Sequence, residues 1–492
     1  MDKRLAMTRL TSSERAASST ADMSQTVLAA VVVGFVALGI LPQGVFHQIA
    51  SDGLAVAISV FAAIVYLRIG EHPRAAGLSR FALAAAVVLA AYILWQSWLS
   101  PGAPFANPAF KAVGDLVAVE RQSVALDPAD SMAALGPSIA PFLFFIAVLS
   151  ISRNDETAKK VVVFLALFGV ALALYSFLRL RFLPPGLELG PVKVAFEDLG
   201  TIFGERNAAA TFLGLAVLAQ AGQVARSMYG HEWLDTIARV FDPWRPVRKR
   251  ERRALVYAGM LVLTVAALAM TQSRSGMIST GVGLAVFILV GLVTARRPND
   301  VRVALAPSAR RTMGRAAMVV AVSAVILVAG YVALTQVDVT ALTADFGYCN
   351  VAGVVQAVHE NWLLGTGLGA FDLASAAYRD PACVVNDAWG RVDDTYVAAL
   401  LALGLIAPVL LVIAVVALVG NFAMACRRRH RHNWASMLGF GTLALVGTQA
   451  ALDLSVETPA TLLMVAAVLG TSAALAIDQR AVGTDGADTK AP

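Results

Sequence analysis

Apolar runs long enough to cross a membrane recur along nearly the whole 492-residue chain, and no other feature constrains the fold as strongly. About 20 residues of helix cross the ~30 Å hydrocarbon core of a bilayer. Inside that core every backbone polar group must find its partner within the protein, so runs of this kind become helices. Twelve candidate spans lie at approximately 26–42, 53–69, 81–99, 132–152, 161–178, 207–224, 254–271, 275–295, 316–335, 395–420, 436–452 and 459–476. The expected fold is therefore all-α, a polytopic integral membrane protein of about 12 transmembrane helices. With 58% hydrophobic and 15% charged residues and a mean hydropathy of +0.70, a soluble enzyme is excluded.

An even number of spans puts both ends of the chain on one side. With loops assigned alternately, that side takes 30 of the 39 Lys and Arg residues and 14 of the 33 acidic ones, leaving 9 and 19 for the other. Excess Lys and Arg mark the cytoplasmic face, so both termini are expected to be cytoplasmic. The N-terminal MDKRLAMTRLTSSERAASST has no small-residue cleavage site after an apolar stretch and reads as a tail rather than a signal peptide. Arg245 to Arg253 (RPVRKRERR), Arg296 to Arg315 and Arg427 to Arg431 lie beside spans, where a topogenic role with anionic-lipid contact outweighs nucleic-acid binding. The expected segments are a tail at 1–25, a six-helix half at 26–252, a core at 253–420, two last helices at 421–478 and a tail at 479–492.

The largest outer loop, 336–394, is far longer than an ordinary helix connection and carries aromatic residues, so it is expected to be folded. Most of 350–376 reads as helix, broken at Gly365, Gly367 and Gly369. That glycine run, GTGLGAF, follows no strand and opens no βαβ unit, so it reads as a sharp turn and not as a nucleotide-binding loop. Cys349 and Cys383 both fall in this loop and are expected to pair in an oxidising compartment. Cys426 sits at the inner face.

Ionisable groups at the outer rim are the candidates for chemistry. Arg274, in MTQSRSGM, stands where two spans meet almost without a loop, flanked by Thr271, Gln272, Ser273 and Ser275. Two uses are open to it: an interfacial anchor that snorkels to headgroups, or an anion ligand in a polar pocket. Arg206, beside Asn207, has the same character. Asp393 and Asp394 precede the span at 395–420. One could accept a proton from a sugar hydroxyl, while Asp394 is well placed as a helix N-cap. His359 reads as a surface or packing residue, and no metal-ligand cluster is apparent.

Several stretches together resemble the O-antigen ligase and O-antigen or exopolysaccharide polymerase superfamily of polytopic membrane glycosyltransferases. They are SVALDP from Ser123, GTIFGERNAAATF from Gly200, TQSRSG from Thr271, HENWLLGTGLGAF from His359, WGRVDDTYVAALLALG from Trp389 and LDLSVETPA from Leu452. The resemblance implies a metal-independent, cofactor-free inverting glycosyltransferase of the bacterial inner membrane, its site facing the periplasm. It would use a polyprenyl-diphosphate-linked glycan as donor and a lipid A core or another lipid-linked glycan as acceptor, with membrane lipids around it and no nucleic acid.

By the same resemblance Arg274, Arg206 and Arg391 engage the diphosphate. Asp393 stands where ligases carry a histidine, which leaves open a polymerase with Asp393 as base or a member that has lost activity. Two other classes are carried as expectations: a secondary transporter or flippase of a lipid-linked or anionic substrate, and a non-catalytic component of envelope assembly.

Overall fold

The computed structural model describes residues 12–40, 47–101, 105–110, 122–182, 203, 205–229, 239, 247–294, 351–376, 378, 394–428 and 433–477. The long apolar runs among them form α1 (Ser12–Leu38), α2 (His47–Ile69), α3 (Ala76–Gln96), and α4 and α5 (Pro128–Ala133 and Leu135–Ile151). They continue as α6 (Asp155–Phe182), α7 (Arg206–Ser227), α8 (Lys249–Met270) and α9 (Arg274–Thr294). Two shorter helices, α10 (Val351–Asn361) and α11 (Phe371–Ala376), flank the glycine run as expected. Then come α12 (Thr395–Leu403), α13 (Ile406–Arg428), α14 (Asn433–Ala450), a 3-10 turn (Leu454–Glu457) and α15 (Pro459–Ala476). Among the described residues there is no β-strand, and nine helices are long and apolar enough to cross a membrane.

Three expected spans change, of which those at 26–42 and 436–452 are helical, as α1 and α14, but not among the nine. The run at 395–420 is not one helix: Gly404 (φ 61) ends α12, and the membrane-length helix is α13 alone. A hydrophobic run cannot show such a break, because both halves are equally apolar; only the glycine marks it. At the other end of the chain α1 reaches back to Ser12, into the segment expected to be tail. The expected span at 316–335 lies outside the described residues.

At the centre stands α7, every residue of which from Ala208 to Gln223 is buried. It packs against α6, α8, α9, α14 and α15, so the expected six-helix half and the later helices form interleaved packing. Between lipid-facing helices there is no hydrophobic driving force, and close van der Waals packing of small residues takes its place. The α9–α14 crossing shows this: a methyl group on Gly283 would lie 2.9 Å from the Gly441 carbonyl oxygen, and one on Gly441 equally close to that of Gly283. Aromatic packing closes the other flank, with Phe35 and Phe61 ring centres 4.7 Å apart and Phe144 beside both.

Polar residues of the described helices gather at two ends of the bundle. At the basic end, Arg153 Nη1 donates to the Ile69 carbonyl (3.4 Å) and Lys160 Nζ to Thr26 Oγ1 (3.0 Å). There too Arg226 lies 5.8 Å from the Trp434 ring centre, and Asn433 bonds Thr294. The opposite end gathers the starts of α7, α9, α12 and α15.

Candidate functional site

The site is built where α8 turns directly into α9. Three residues lie between Met270 and Arg274, and the reversal forces Gln272 into the left-handed region (φ 53), the one non-glycine residue so placed among those described. A non-glycine residue held there costs of order 1–3 kcal/mol and persists only where its surroundings impose it. Here they do. Thr271 and Ser273 are buried, Thr271 Oγ1 bonding the Leu268 carbonyl (2.7 Å) while Ser273 Oγ accepts from Gly276 N–H (3.2 Å) as the cap of α9. These hydroxyls were expected to line a polar pocket around Arg274. They are instead spent on holding the turn, because a reversal this tight leaves backbone groups that only adjacent side chains can reach.

Ser273 also carries the turn across to α7. Its hydroxyl donates to Asn207 Oδ1 at 2.7 Å, and Asn207 Nδ2 in turn donates to Asp453 Oδ2. Asp453 heads the 3-10 turn, its Oδ1 accepting from Ser455 N–H at 2.6 Å. The buried Gln449, at the end of α14, closes the circuit. Its Oε1 accepts from Ser279 Oγ (2.7 Å), and its Nε2 donates to Ser455 Oγ (2.8 Å) and Ser275 Oγ (3.2 Å). Thr211 Oγ1, committed to the Asn207 carbonyl (2.8 Å), lies 3.0 Å from Ser455 Oγ. Proton directions then follow: Ser455 donates to Thr211, and Ser273 to Asn207.

Through this network two arginines at helix starts become neighbours. Arg206 is the first residue of α7 and exposed, and Arg274 is the first residue of α9 and half-buried. The residues next to each, Asn207 and Ser273, are the ones in contact. The starts of α7 and α9, each opening on an arginine, therefore lie at one rim, and helix N-termini and arginines both favour anions.

The start of α12 joins the same rim. Thr395 Oγ1 donates to the Asp453 carbonyl (3.2 Å), and Asp394 Oδ1 accepts from Tyr396 N–H (2.8 Å) and Val397 N–H (3.1 Å). Asp394 is thus the N-cap of α12, the role expected for one of the aspartate pair. Tyr396 donates from its hydroxyl to the Gly447 carbonyl at 2.8 Å, and burial, with Asp394 beside it, pushes its phenol up, so the donor stays protonated.

The far end of α12 is gripped by the glycine run. Thr366 N–H donates to the Leu401 carbonyl (2.8 Å) and Gly367 N–H to that of Ala402 (3.0 Å), while Leu405 N–H returns to Leu363 (3.2 Å). Gly365, Gly367 and Gly369 all have positive φ, and a methyl group on Gly367 would stand 2.6 Å from the Ala125 side chain. From the other side Gln96 Nε2 donates to the Leu364 carbonyl (2.6 Å), Leu126 N–H to Thr366 (2.8 Å) and Ser131 Oγ to Leu368 (2.8 Å). Nearby Tyr378 donates to Glu360 Oε2 at 2.6 Å. Burial and that carboxylate push the phenol up to about 12, and the same bond holds Glu360 below the usual carboxylate range.

Of the expected site residues, Arg206 and Arg274 are described, each as the first residue of a helix whose start is tied to the other through Asn207 and Ser273. Asp393, Arg391, Cys349 and Cys383 lie outside the described residues, Asp393 being the covalent neighbour of the Asp394 cap. Cys426 is a free thiol, half-buried near the end of α13. Asp453, Gln449, Ser455 and Thr211 are the residues that sequence reading passed over. The one signal for Gln449 was a glutamine at the end of an otherwise apolar span. No family model and no curated protein matches the chain.

Proposed function

We propose that the chain is a metal-independent inverting glycosyltransferase of a bacterial inner membrane, passing a polyprenyl-diphosphate-linked glycan to a lipid A core or to another lipid-linked repeat unit. One observation supports this reading above the others. The described residues of the six stretches that carry the resemblance, spread from Ser123 to Ala460, are neighbours at one end of the bundle, with α12 bonded to the Asp453 turn at its start and to the glycine run at its finish.

In the displacement, the acceptor hydroxyl oxygen forms a bond to the anomeric carbon while the bond from that carbon to the diphosphate oxygen breaks. The hydroxyl proton passes to Asp393, and the polyprenyl diphosphate leaves with the electron pair. Such a step needs a base for the hydroxyl and positive charge at the leaving group. Arg206 and Arg274 supply the charge, reinforced by the N-termini of α7 and α9, and Arg391 adds to it. Asp394 is committed to its cap and leaves the proton to Asp393.

The test is reconstitution of the purified full-length chain in proteoliposomes with a lipid-linked oligosaccharide, scoring chain extension against transfer to lipid A core. Product should form with wild type and vanish in Asp393→Asn and Arg274→Ala variants that still insert. Coupled ion uptake with no change in glycan length would replace this reading with transport. Normal product from Asp393→Asn would remove that residue from the mechanism.

A further inference from the structure

The basic end carries a feature that glycan transfer does not use. In the first turns of α8, Arg248, Lys249, Arg250, Arg252 and Arg253 are all exposed, while Glu251, the one acidic residue among them, is buried. Glu251 is also neutralised: its Oε1 meets Arg239 Nη1 at 2.8 Å and its Oε2 accepts from Arg248 N–H at 2.8 Å. The helix therefore turns its carboxylate inward, beside buried Ala254, and its cations outward.

Helical spacing fixes where those cations point. Arg252 and Arg253 stand four and three residues before Val256, and Lys249 stands two turns before it, so all three share its face. Val256 is exposed in the apolar part of the same spanning helix. The charges are thus the continuation of a lipid-facing stripe, reaching about 10 Å beyond it at 1.5 Å per residue. That is headgroup depth, not open solvent. Arg226, at the end of α7, lies within electrostatic reach of Arg253 and extends the positive belt toward Glu156 and Lys159 on α6.

We propose that this turn of α8 is a binding surface for anionic phospholipid headgroups, with the Glu251–Arg239 bridge holding the cations outward. Cations beside a membrane surface favour anionic lipid by roughly fivefold each. A nucleic acid would need charges standing clear of the bilayer.

The test uses the full-length chain in phosphatidylcholine bilayers containing spin-labelled phosphatidylglycerol or spin-labelled phosphatidylcholine, with relative association read by electron paramagnetic resonance. Wild type should prefer phosphatidylglycerol several-fold at low salt and lose most of that preference at 0.5 M salt. The combined variant Lys249→Gln, Arg250→Gln, Arg252→Gln, Arg253→Gln should lose at least fivefold, whereas Arg80→Gln, which removes an exposed arginine elsewhere, should not differ from wild type. A combined variant that keeps the preference overturns the proposal. So does a wild-type preference insensitive to salt, which decides the matter even if the variant fails to insert. An oligonucleotide that displaces the labelled phosphatidylglycerol would assign the surface to nucleic acid instead.

Discussion

Asn207 and Asp453, 246 residues apart in the chain, are joined side chain to side chain, and that bond ties the start of α7 to the turn leading into α15. Asp453 accepts from both the half-buried Asn207 and the buried Ser455 N–H. Asp453→Ala should destabilise the protein by about 1–3 kcal/mol, the cost of stranding buried donors, seen as a lower unfolding midpoint in detergent. Asp453→Asn keeps the shape and loses the charge. Under the proposed function its midpoint should stay nearer wild type while glycan transfer falls, and a transfer rate equal to wild type would make Asp453 structural only.

Gln449 is bonded through both ends of its amide, to α9 and to the 3-10 turn. Gln449→Leu leaves the Ser279 hydroxyl with only its longer bond to the Gly276 carbonyl (3.1 Å) and Ser455 without its donor. A loss of about 1–3 kcal/mol is expected. Gln449→Glu retains an acceptor for Ser279 and should lose less, so the order of the two unfolding midpoints checks the assignment.

Gly404 separates α12 from α13 with φ 61 and ψ −149, a conformation essentially confined to glycine. A methyl group there would also stand 2.5 Å from the Leu363 carbonyl oxygen. Gly404→Ala should release the glycine run from α12 and raise proteolytic cleavage within 361–371 by an order of magnitude. Gly420→Ala, within α13 with open space around it, should leave the cleavage pattern as in wild type.

His72 sits in the turn between α2 and α3, buried, its Nδ1 accepting from Ala75 N–H at 3.1 Å. Burial, helped by Arg153 and Arg74 and opposed by Asp155, holds its pKa below the usual 6.5. The unfolded chain therefore takes up a proton at a pH where the folded one does not. The stability this neutral histidine contributes is complete above pH 6.5 and is lost as pH falls toward the folded value. Wild type should show a falling unfolding midpoint from pH 7.5 to 5, and His72→Gln, whose amide can still accept from Ala75, should show a smaller fall.

Much of the architecture was readable because lipid imposes a simple rule. Leu, Val, Ile and Ala in runs of twenty must be helix. The glycine run and the Asp394 cap were readable for local reasons, since positive φ and a first-turn acceptor are settled by neighbours in the chain. The break at Gly404 was not, because hydropathy is the same on both sides of it. Nor was the Asn207–Ser273–Asp453–Gln449 circuit. Those four residues are ordinary polar positions near span ends, and only packing that brings α7, α9, α14 and the 3-10 turn to one rim gives them partners.

The burial of α7 bears on how the protein is made. Its inward polar side chains, Asn207, Thr211, Gln220 and Gln223, make it the least apolar of the nine membrane-length helices. Inserted alone, it would expose those groups to hydrocarbon. The helix that anchors the site is therefore the one least able to enter the bilayer unaided, and its integration depends on α6 and α8 being present to receive it.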